Sequence, residues 1–399
     1  MAEIAVIGGG VGGLAAAVAL ARRGLEVAVH EQAAALAEVG AGLQLAPNAV
    51  AVLEALGLRD AVEAVAATPE AVELRDGLSG RSVARLPLGA ACVARYGRPY
   101  WHVHRADLLA ALAAGAAEAG VTLRLGSRVT EVTDAGDRVR VRLAGGAEEK
   151  AAVAAAADGV RSGLRAAHFG GAAPRFTGNV AWRALVPAAR LAAPPLPRAA
   201  TVFMGPRRHL VAYPLRKGAL WNLVAVEERA AWTEEGWSAP GDAQALRRAF
   251  AGWAEPVPTL LAAVSDCFLW GLFDHPRLPA WARGRLALLG DACHPMTPFL
   301  AQGATMALED AWVLADALAA RRDDPAAGLA AYEDRRIARA SRVQAAAGRS
   351  GRAFHLANPA LRAAAHAGLA AVARLAPDRL AGRLDWLWGA NVVGPGATD

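Results

Sequence analysis

The sequence of 399 residues contains only three cysteines, Cys92, Cys267 and Cys293. An odd number without metal-ligand spacing argues against a disulfide framework and a structural zinc site, and fits a reducing cytoplasm. The sequence also lacks any charge-free run of eighteen apolar residues, because its most apolar helical stretch, Leu300 to Ala320, contains three acidic residues. We therefore expect a cytoplasmic protein with no bound metal and no membrane span.

Lysine is also rare and occurs only at Lys150 and Lys217. The formal net charge of +6 comes from arginines that are spread along the chain, and no basic patch is interleaved with aromatic residues. The sequence therefore does not indicate nucleic-acid binding. It begins with the strand-like run Ile4–Ile7 and has neither a basic region nor an apolar signal core ahead of it.

A glycine-rich turn follows this first predicted strand. Gly8, Gly10 and Gly13 fit the pattern G-x-G-x-x-G, with Gly12 inside it, and a predicted helix begins there. In such a turn the first glycine permits the tight bend, the second lets the backbone approach a pyrophosphate, and the third packs helix on strand. Glu31, at the end of the next predicted strand, is placed to accept a hydrogen bond from a ribose hydroxyl. The motif predicts a dinucleotide site without choosing between FAD and NAD.

A second strand–turn–helix segment contains Gly290-Asp291-Ala292-Cys293-His294-Pro295. A carboxylate at Asp291, beside the start of a helix near Gln302, can hold a ribityl hydroxyl of a flavin; an ordinary helix-capping aspartate is the alternative. The combination of two such motifs favours FAD over a nicotinamide dehydrogenase. Cys293 and His294 have no base or orienting partner visible in the sequence, so we interpret them as structural.

The order of predicted elements indicates an α/β protein with a Rossmann-like FAD-binding domain, an inserted, mostly antiparallel β-sheet domain and C-terminal helices. We assign the FAD-binding domain to residues 1–174 and 276–355, the substrate-binding sheet to 175–275 and the terminal helices to 356–399. Four short alternating runs between Val121 and Ala156 predict a meander next to the first sheet. A single helix is expected from Pro377 to Leu387.

The inserted sheet is expected to carry the substrate. His209 and Tyr213 lie on one face of a predicted strand, about 13 Å apart, because side chains alternate along a strand. The ordinary pKa of histidine, about 6.5, suits removal of a phenol proton near neutral pH. Arg183 could pair with a substrate carboxylate. The alternatives are an interface histidine with a structural tyrosine, and a solvated arginine.

With these motifs in place, residues 3 to about 350 resemble the single-component, FAD-dependent aromatic hydroxylases (group A flavoprotein monooxygenases), especially the salicylate and hydroxybenzoate hydroxylase branch. Further segments resemble motifs of that family: Gly40–Asn48, Trp101–Leu109, Ala156–Ser162 and Tyr332–Arg336. The resemblance implies FAD contacts at Gly42, Leu43, Arg105, Asp158 and Gly303. It also implies that Gln302 faces the flavin and the substrate, and that His209 and Tyr213 line the substrate pocket.

The resemblance implies that NADH or NADPH, docking transiently, reduces a non-covalently bound FAD. Dioxygen then forms a flavin hydroperoxide that hydroxylates a small phenolic acid. Salicylate or 3-hydroxybenzoate is the first candidate and 6-hydroxynicotinate the alternative. A non-hydroxylating flavin-binding protein and a plain dehydrogenase are the rival classes; halogenation is set aside because Lys150 and Lys217 fall at predicted turns. The chain is expected to act as a monomer or homodimer.

Overall fold

The computed structural model of the chain describes residues 3–36, 42–191, 196–232 and 239–394, so Gly40 and Ala41 of the predicted flavin segment lie outside the described residues. The strands are β1 (Ile4–Ile7), β2 (Val27–His30), β3 (Gly42–Leu45), β4 (Ala71–Asp76), β5 (Ser82–Pro87), β6 (Trp101–His104), β7 (Thr122–Arg124), β8 (Val129–Asp134), β9 (Val139–Leu143), β10 (Glu148–Ala151), β11 (Val153–Ala156), β12 (Arg175–Pro187), β13 (Ala199–Gly205), β14 (Arg208–Leu215), β15 (Leu220–Glu228), β16 (Pro240–Gly241), β17 (Cys267–Asp274), β18 (Ala282–Arg283) and β19 (Leu286–Leu288). The helices are α1 (Val11–Ala21), α2 (Pro47–Ala55), α3 (Arg59–Val65), α4 (Gly89–Tyr96), α5 (Arg105–Glu118), α6 (Ala243–Ala249), α7 (Val257–Ala262), α8 (Gly303–Ala319), α9 (Pro325–Phe354), α10 (Pro359–Leu375), α11 (Pro377–Gly382) and α12 (Asp385–Trp388).

A six-stranded sheet in the order β18-β19-β11-β1-β2-β7 forms the centre of the first domain. Its strands are parallel except for the terminal β18–β19 pair. β1, β2 and β11 are buried throughout, as expected for a parallel sheet covered on both faces. Helix α1, rich in alanine, packs closely against both α5 and α8. The predicted α/β, Rossmann-like fold is confirmed.

A separate three-stranded antiparallel sheet has the order β10-β9-β8. The predicted meander between Val121 and Ala156 is therefore only partly right. Its first run, β7, and its last, β11, pair in parallel within the six-stranded sheet instead. Alternation of apolar residues marks a strand but does not indicate its partner, since pairing is decided by tertiary packing.

The inserted sheet has eight strands in the order β16-β17-β12-β15-β14-β13-β4-β5 and is mostly antiparallel. Strands β4 and β5 come from residues 71–87, far ahead of the predicted insertion, and β4 pairs in parallel with β13. One face of this sheet packs against α6 and α7 through a core that includes Trp182 and Phe203. The opposite face is turned toward the first domain.

The C-terminal part is helical, as expected from the sequence. The segment predicted as one helix from Pro377 to Leu387 instead forms two short helices, α11 and α12, separated at Arg383 and Leu384. Trp388 of α12 packs against Tyr96 and Tyr100, which fixes this end of the chain to the body. Within the described ranges, no helix is both long and apolar enough to cross a membrane.

Candidate active site

The predicted dinucleotide turn has two kinds of glycine. A methyl group at Gly13 would lie 1.9 Å from the carbonyl oxygen of Gly8, one at Gly8 2.3 Å from the carbonyl oxygen of Ala157, and one at Gly12 2.7 Å from Leu289. These positions exclude any side chain because β1, α1, β11 and α8 approach closely. At Gly10, by contrast, a methyl group would meet nothing within 4 Å. The turn is therefore packed on the protein side and open at Gly10.

Gly10 caps helix α1, and no side chain there accepts a hydrogen bond from the first turn. Such a helix start presents backbone N–H groups and the positive end of the helix dipole to an anion. The Glu31 carboxylate is fixed next to it: Oε2 accepts a hydrogen bond from the backbone N–H of Gly9 at 2.7 Å, and Oε1 from that of Ala33 at 2.8 Å. An open phosphate cradle beside a fixed carboxylate fits the adenosine half of FAD.

Asp291 of the second motif lines one cavity together with Val160, Arg161 and Ser162 of the segment Ala156–Ser162. Asp291 lies in a 3₁₀ turn, and a methyl group at Gly303, the first residue of α8, would lie 3.9 Å from its Oδ1. Asp158 is mostly buried; its Oδ2 accepts a hydrogen bond from the backbone N–H of Leu164 at 3.4 Å, and burial raises the pKa of this carboxyl group. Among the described residues, Oδ1 of Asp158 has no hydrogen-bond partner.

Arg165, which sequence analysis did not single out, connects the two motifs. Its guanidinium donates hydrogen bonds to the backbone carbonyls of Asp291 at 3.4 Å, Ala292 at 3.3 Å and Val160 at 2.6 Å. No sequence pattern distinguishes it from the other arginines of the chain.

Strand β3, which contains the predicted flavin contacts Gly42 and Leu43, forms a two-stranded ribbon with β6. Gly42 pairs with His104, and Leu43 pairs with Val103. Arg105 follows directly as the first residue of α5, so Gly42, Leu43 and Arg105 lie at one end of the ribbon. The backbone N–H of Gly42 donates a hydrogen bond to Oδ1 of Asn222, and the Nδ2 of that side chain is buried with no partner among the described residues.

Gln302 caps α8 and is almost fully buried. Its Oε1 accepts a hydrogen bond from Nδ2 of Asn48 at 3.3 Å, and Asn48 also donates to Glu309 at 2.8 Å. This fixes the amide so that Nε2 of Gln302 is the donor left over, and it has no partner in the described part of the chain. In the sequence, Asn48 was named only as the end of the segment Gly40–Asn48, and this orienting role was not predicted.

The structure brings His209, Tyr213 and Arg183 to one face of the eight-stranded sheet. Val211, between the two aromatic residues on β14, pairs with Val224, and Val224 pairs with Arg183 on β12. Residues opposite each other on neighbouring strands share a face. Arg183 therefore lies two strands, about 10 Å, from Val211. Phe299, just ahead of Gln302, packs against this face beside Val211 and Val224, so the face is turned toward the predicted flavin site.

His209 is buried between two aromatic rings, with ring centroids 5.6 Å from Phe299 and 5.3 Å from Phe354. Its Nδ1 lies 2.7 Å from Nε2 of His355. Burial, and then the neighbouring His355, lower the pKa of His209 well below its usual value. The imidazole is consequently neutral at pH 7 and keeps one unprotonated ring nitrogen.

Tyr213 is at the other end of this face, and Arg183 is level with Val211. Burial raises the pKa of Tyr213 to about 12, although Arg183 is close enough to lower it slightly, so the Tyr213 hydroxyl is a hydrogen-bond donor at neutral pH. Burial and, to a lesser extent, Arg105 lower the pKa of Arg183, whereas Tyr213 acts in the opposite direction. The Arg183 guanidinium lies 5.4 Å from the centroid of the Trp270 ring, and its Nε has no partner among the described residues. A buried cation of this kind suits an anionic ligand.

His294 has the orienting partner that the sequence did not reveal. Its Nε2 lies 2.5 Å from Oδ2 of Asp310, sixteen residues later. The other Asp310 oxygen accepts from Nε of Arg336 at 2.8 Å. Cys293 is near enough to join His294 and Asp310 as a possible metal-ligand set, but both carboxylate oxygens already have cationic partners.

A cavity of about 400 Å³ opens beside Asp291, between the first domain and strand β17. Arg161, Arg165 and His275 line it, together with Pro295 to Pro298. His209, Tyr213 and Arg183 are not among its lining residues, so it is distinct from the polar sheet face.

Comparison with known proteins identifies the family of the chain. A family model described as an FAD binding domain matches residues 1–347. The chain is 42% identical over 356 residues to the 3-amino-4-hydroxybenzoate 2-monooxygenase PtnB3 of Streptomyces platensis, covering 89% of each protein. It is 40% identical over 346 residues to the 6-hydroxynicotinate 3-monooxygenase of Bordetella bronchiseptica, covering 86% of this chain and 89% of the relative.

Among solved structures, a variant of Klebsiella pneumoniae HpxO complexed with FAD has a TM-score of 0.84 and 30% sequence identity, over 98% of this chain and 99% of that one. These relationships exclude the plain dehydrogenase and the non-hydroxylating flavin-binding protein as classes. The chain belongs to the FAD-dependent aromatic monooxygenases of group A, related to the hydroxybenzoate and salicylate hydroxylases.

Proposed function

We propose that the protein hydroxylates a small monocyclic aromatic acid whose hydroxyl group is meta or para to its carboxylate. The observation that carries this proposal is the shared sheet face, which has a neutral base, His209, at one end and Tyr213 at the other, with Arg183 two strands away from Val211, which lies between them. About 13 Å of strand separates His209 from Tyr213. An acid with its two polar groups on well-separated ring positions can reach both ends.

Each end has a different role in this proposal. The Arg183 guanidinium pairs with the carboxylate, and the Tyr213 hydroxyl donates a hydrogen bond to it. His209 accepts the phenol proton, which makes the ring electron-rich and hence reactive toward an electrophilic oxygen. Val211 and Val224, between the two ends, contact the apolar ring and help to exclude water.

FAD, when bound, supplies the redox and oxygen-activating chemistry. Gly10, Glu31, Asp291 and Arg105 are the residues proposed to hold it. Nε2 of Gln302 is proposed to donate a hydrogen bond at the flavin–substrate boundary, since Asn48 fixes the orientation of the amide. We assign the docking of NADH or NADPH to the cavity lined by Arg161 and Arg165, whose charges suit an anionic dinucleotide.

The relatives support a substrate of this shape. Both 3-amino-4-hydroxybenzoate and 6-hydroxynicotinate carry a hydroxyl para to the carboxylate. We therefore rank these two and 3-hydroxybenzoate ahead of salicylate, although the sequence alone favours salicylate equally with 3-hydroxybenzoate. In salicylate the two groups are ortho and lie at one edge of the ring.

A panel of these four acids tests the proposal. The purified holoenzyme is incubated with each acid, with NADH or NADPH, and the product mass is measured beside nucleotide oxidation. Product mass is needed because a non-substrate effector can accelerate flavin reduction and release only hydrogen peroxide. A gain of one oxygen on a meta or para acid is the expected result, accompanied by loss of carbon dioxide where the oxygen enters at the carbon that carries the carboxylate. Turnover of salicylate alone, or only of phenols without a carboxylate, would reject the proposed substrate class.

A further inference from the structure

His209 is the first member of a chain of three titratable side chains that leads from the substrate face to the surface. Its Nδ1 lies 2.7 Å from Nε2 of His355, and Nδ1 of His355 lies 3.3 Å from Oε1 of Glu228. The two imidazoles are buried, whereas a third of the Glu228 side chain is exposed. These three side chains therefore connect a buried base to solvent.

The Glu228 carboxylate determines which ring nitrogen of His355, and then of His209, carries hydrogen. An ionised carboxylate only accepts hydrogen bonds, so Nδ1 of His355 carries hydrogen and Nε2 of a neutral His355 accepts. Nδ1 of His209 must then donate to that nitrogen. A neutral His209 consequently presents a bare Nε2, which is the nitrogen needed to receive a phenol proton.

Arginines fix the carboxylate end of the chain. Nε of Arg207 lies 2.9 Å from Oε2 of Glu228, so Oε1 remains for His355. The backbone N–H of Arg207 also donates to the carbonyl oxygen of His355 at 3.2 Å, which ties the turn before β14 to the end of α9. Arg208 is the other nearby cation and opposes protonation of His355.

We propose that His355 and Glu228 are positioning residues that hold His209 with Nε2 bare toward the substrate and conduct the phenol proton to solvent. This inference rests on the proposed role of His209 as the base. The phenol O–H bond breaks as Nε2 of His209 gains the proton, and the proton on its Nδ1 passes to Nε2 of His355. The Nδ1 proton of His355 then passes to Glu228 and to water.

The transfer leaves both imidazoles neutral, each with its hydrogen on the other nitrogen. It thus avoids an imidazolium ion in a site where burial disfavours positive charge. Without His355 and Glu228, the proton would have to remain on His209 or leave through a pocket that the substrate closes.

Glu228→Gln and Glu227→Gln form a matched pair of variants. The same change is made at adjacent positions, but Glu227 pairs with Arg229, at 2.6 Å, and is not connected to His355. Single-turnover oxygen transfer is measured from pH 6 to 9 with 3-hydroxybenzoate and 6-hydroxynicotinate. We expect Glu228→Gln to be about tenfold slower at pH 7 and to recover as pH rises, because hydroxide replaces the relay as proton acceptor. Glu227→Gln should retain the wild-type profile.

A loss in Glu228→Gln that is equal at all pH values would indicate a merely structural role, and an unchanged profile would reject the relay. A second measurement does not depend on turnover. In ¹⁵N-histidine spectra of the resting holoenzyme, His209 and His355 should both carry hydrogen on Nδ1, and Glu228→Leu should abolish this preference. Hydrogen on Nε2 of His209 in the wild type would overturn the inference. If no acid is hydroxylated, the proposed function fails while the spectra still decide the tautomer.

Discussion

Asn222 accepts a hydrogen bond from the backbone N–H of Gly42 at 2.8 Å, across 180 residues of sequence. One partner belongs to the strand predicted to lie against the flavin, and the other to the substrate sheet. A methyl group at Gly42 would lie 2.7 Å from the Tyr213 hydroxyl oxygen and 2.9 Å from Cγ of Asn222. The close approach of the two elements thus requires glycine. This close contact fixes the position of Tyr213 relative to β3.

The two kinds of glycine in the first motif can be separated by substitution. Gly10→Ala should leave the apoprotein folded, because a methyl group there meets nothing, and Gly10 has φ −74°, which alanine adopts readily. It should weaken FAD binding about tenfold or more, because the methyl group occupies the approach of the pyrophosphate. Gly13→Ala should instead prevent folding. Circular dichroism and FAD titration measure both effects; normal FAD affinity in Gly10→Ala would contradict the assigned cradle.

Asp291→Asn tests the second motif without altering side-chain size. Loss of a charged hydrogen-bond partner of a flavin hydroxyl costs about 1.5–3 kcal/mol, so the FAD dissociation constant should rise roughly tenfold to 150-fold. Equilibrium dialysis provides the measurement. Asp323→Asn, at an exposed turn position, is the control and should bind FAD normally. Equal affinities in the two variants would remove Asp291 from the flavin site.

Much of the fold could be predicted from the sequence because its signals are local. The glycine turn after β1 and the apolar β19 before Asp291 each mark a strand end and a helix start within a few residues. The placement of His209 and Tyr213 on one face follows from the period of two in a strand. These features do not depend on what the rest of the chain does.

Other features could not be predicted because they depend on tertiary pairing. β4 lies more than 120 residues ahead of its partner β13, and its apolar pattern does not specify that partner. In the sequence, Asp310 is an ordinary helix residue and His355 directly follows a helix, yet they orient His294 and His209 in the structure. A hydrogen-bond partner from a distant segment of the chain produces no spacing pattern that could be detected in the sequence.

Arg183→Met should act on substrate binding and depend on the carboxylate. Loss of a buried charged pair costs about 1.5–3 kcal/mol, so the dissociation constant of an aromatic acid should rise roughly tenfold to 150-fold. A phenol lacking the carboxylate gains nothing from Arg183 and should bind no worse to the variant than to the wild type. Titrations followed by flavin absorbance measure both ligands. An equal loss for both would show that Arg183 only supports the sheet.

Stability should fall in mild acid because several buried histidines fold in their neutral form. Burial lowers the pKa of His102 to about 3 and that of His30 to about 4, below the unfolded value of about 6.5. Between these values the unfolded state binds more protons, so stability is lost as pH falls from about 6.5 toward 4. His294, whose pKa is raised, acts in the opposite direction.

Thermal unfolding midpoints at pH 7.5, 6.5 and 5.5 measure this dependence. The midpoint should decrease by several degrees over this range, and His102→Phe should make the decrease smaller because it removes one group that must be buried uncharged. A midpoint that is constant or rises toward pH 5.5 would contradict the neutral state of these histidines.

His209→Gln should slow oxygen transfer about 10²-fold while FAD binding stays normal, because the variant keeps a polar group but cannot accept the phenol proton. Rapid mixing separates flavin reduction from oxygen transfer, and substrate absorbance reports the phenolate directly. The pKa of His209 lies well below 6.5. The wild-type rate should therefore stay constant as the pH falls to 6.5 and decline only in more acidic solution. Tyr213→Phe is the comparison: it should weaken binding of the acid and leave phenolate formation intact. If His209→Gln forms the phenolate at the wild-type rate, His209 is not the base.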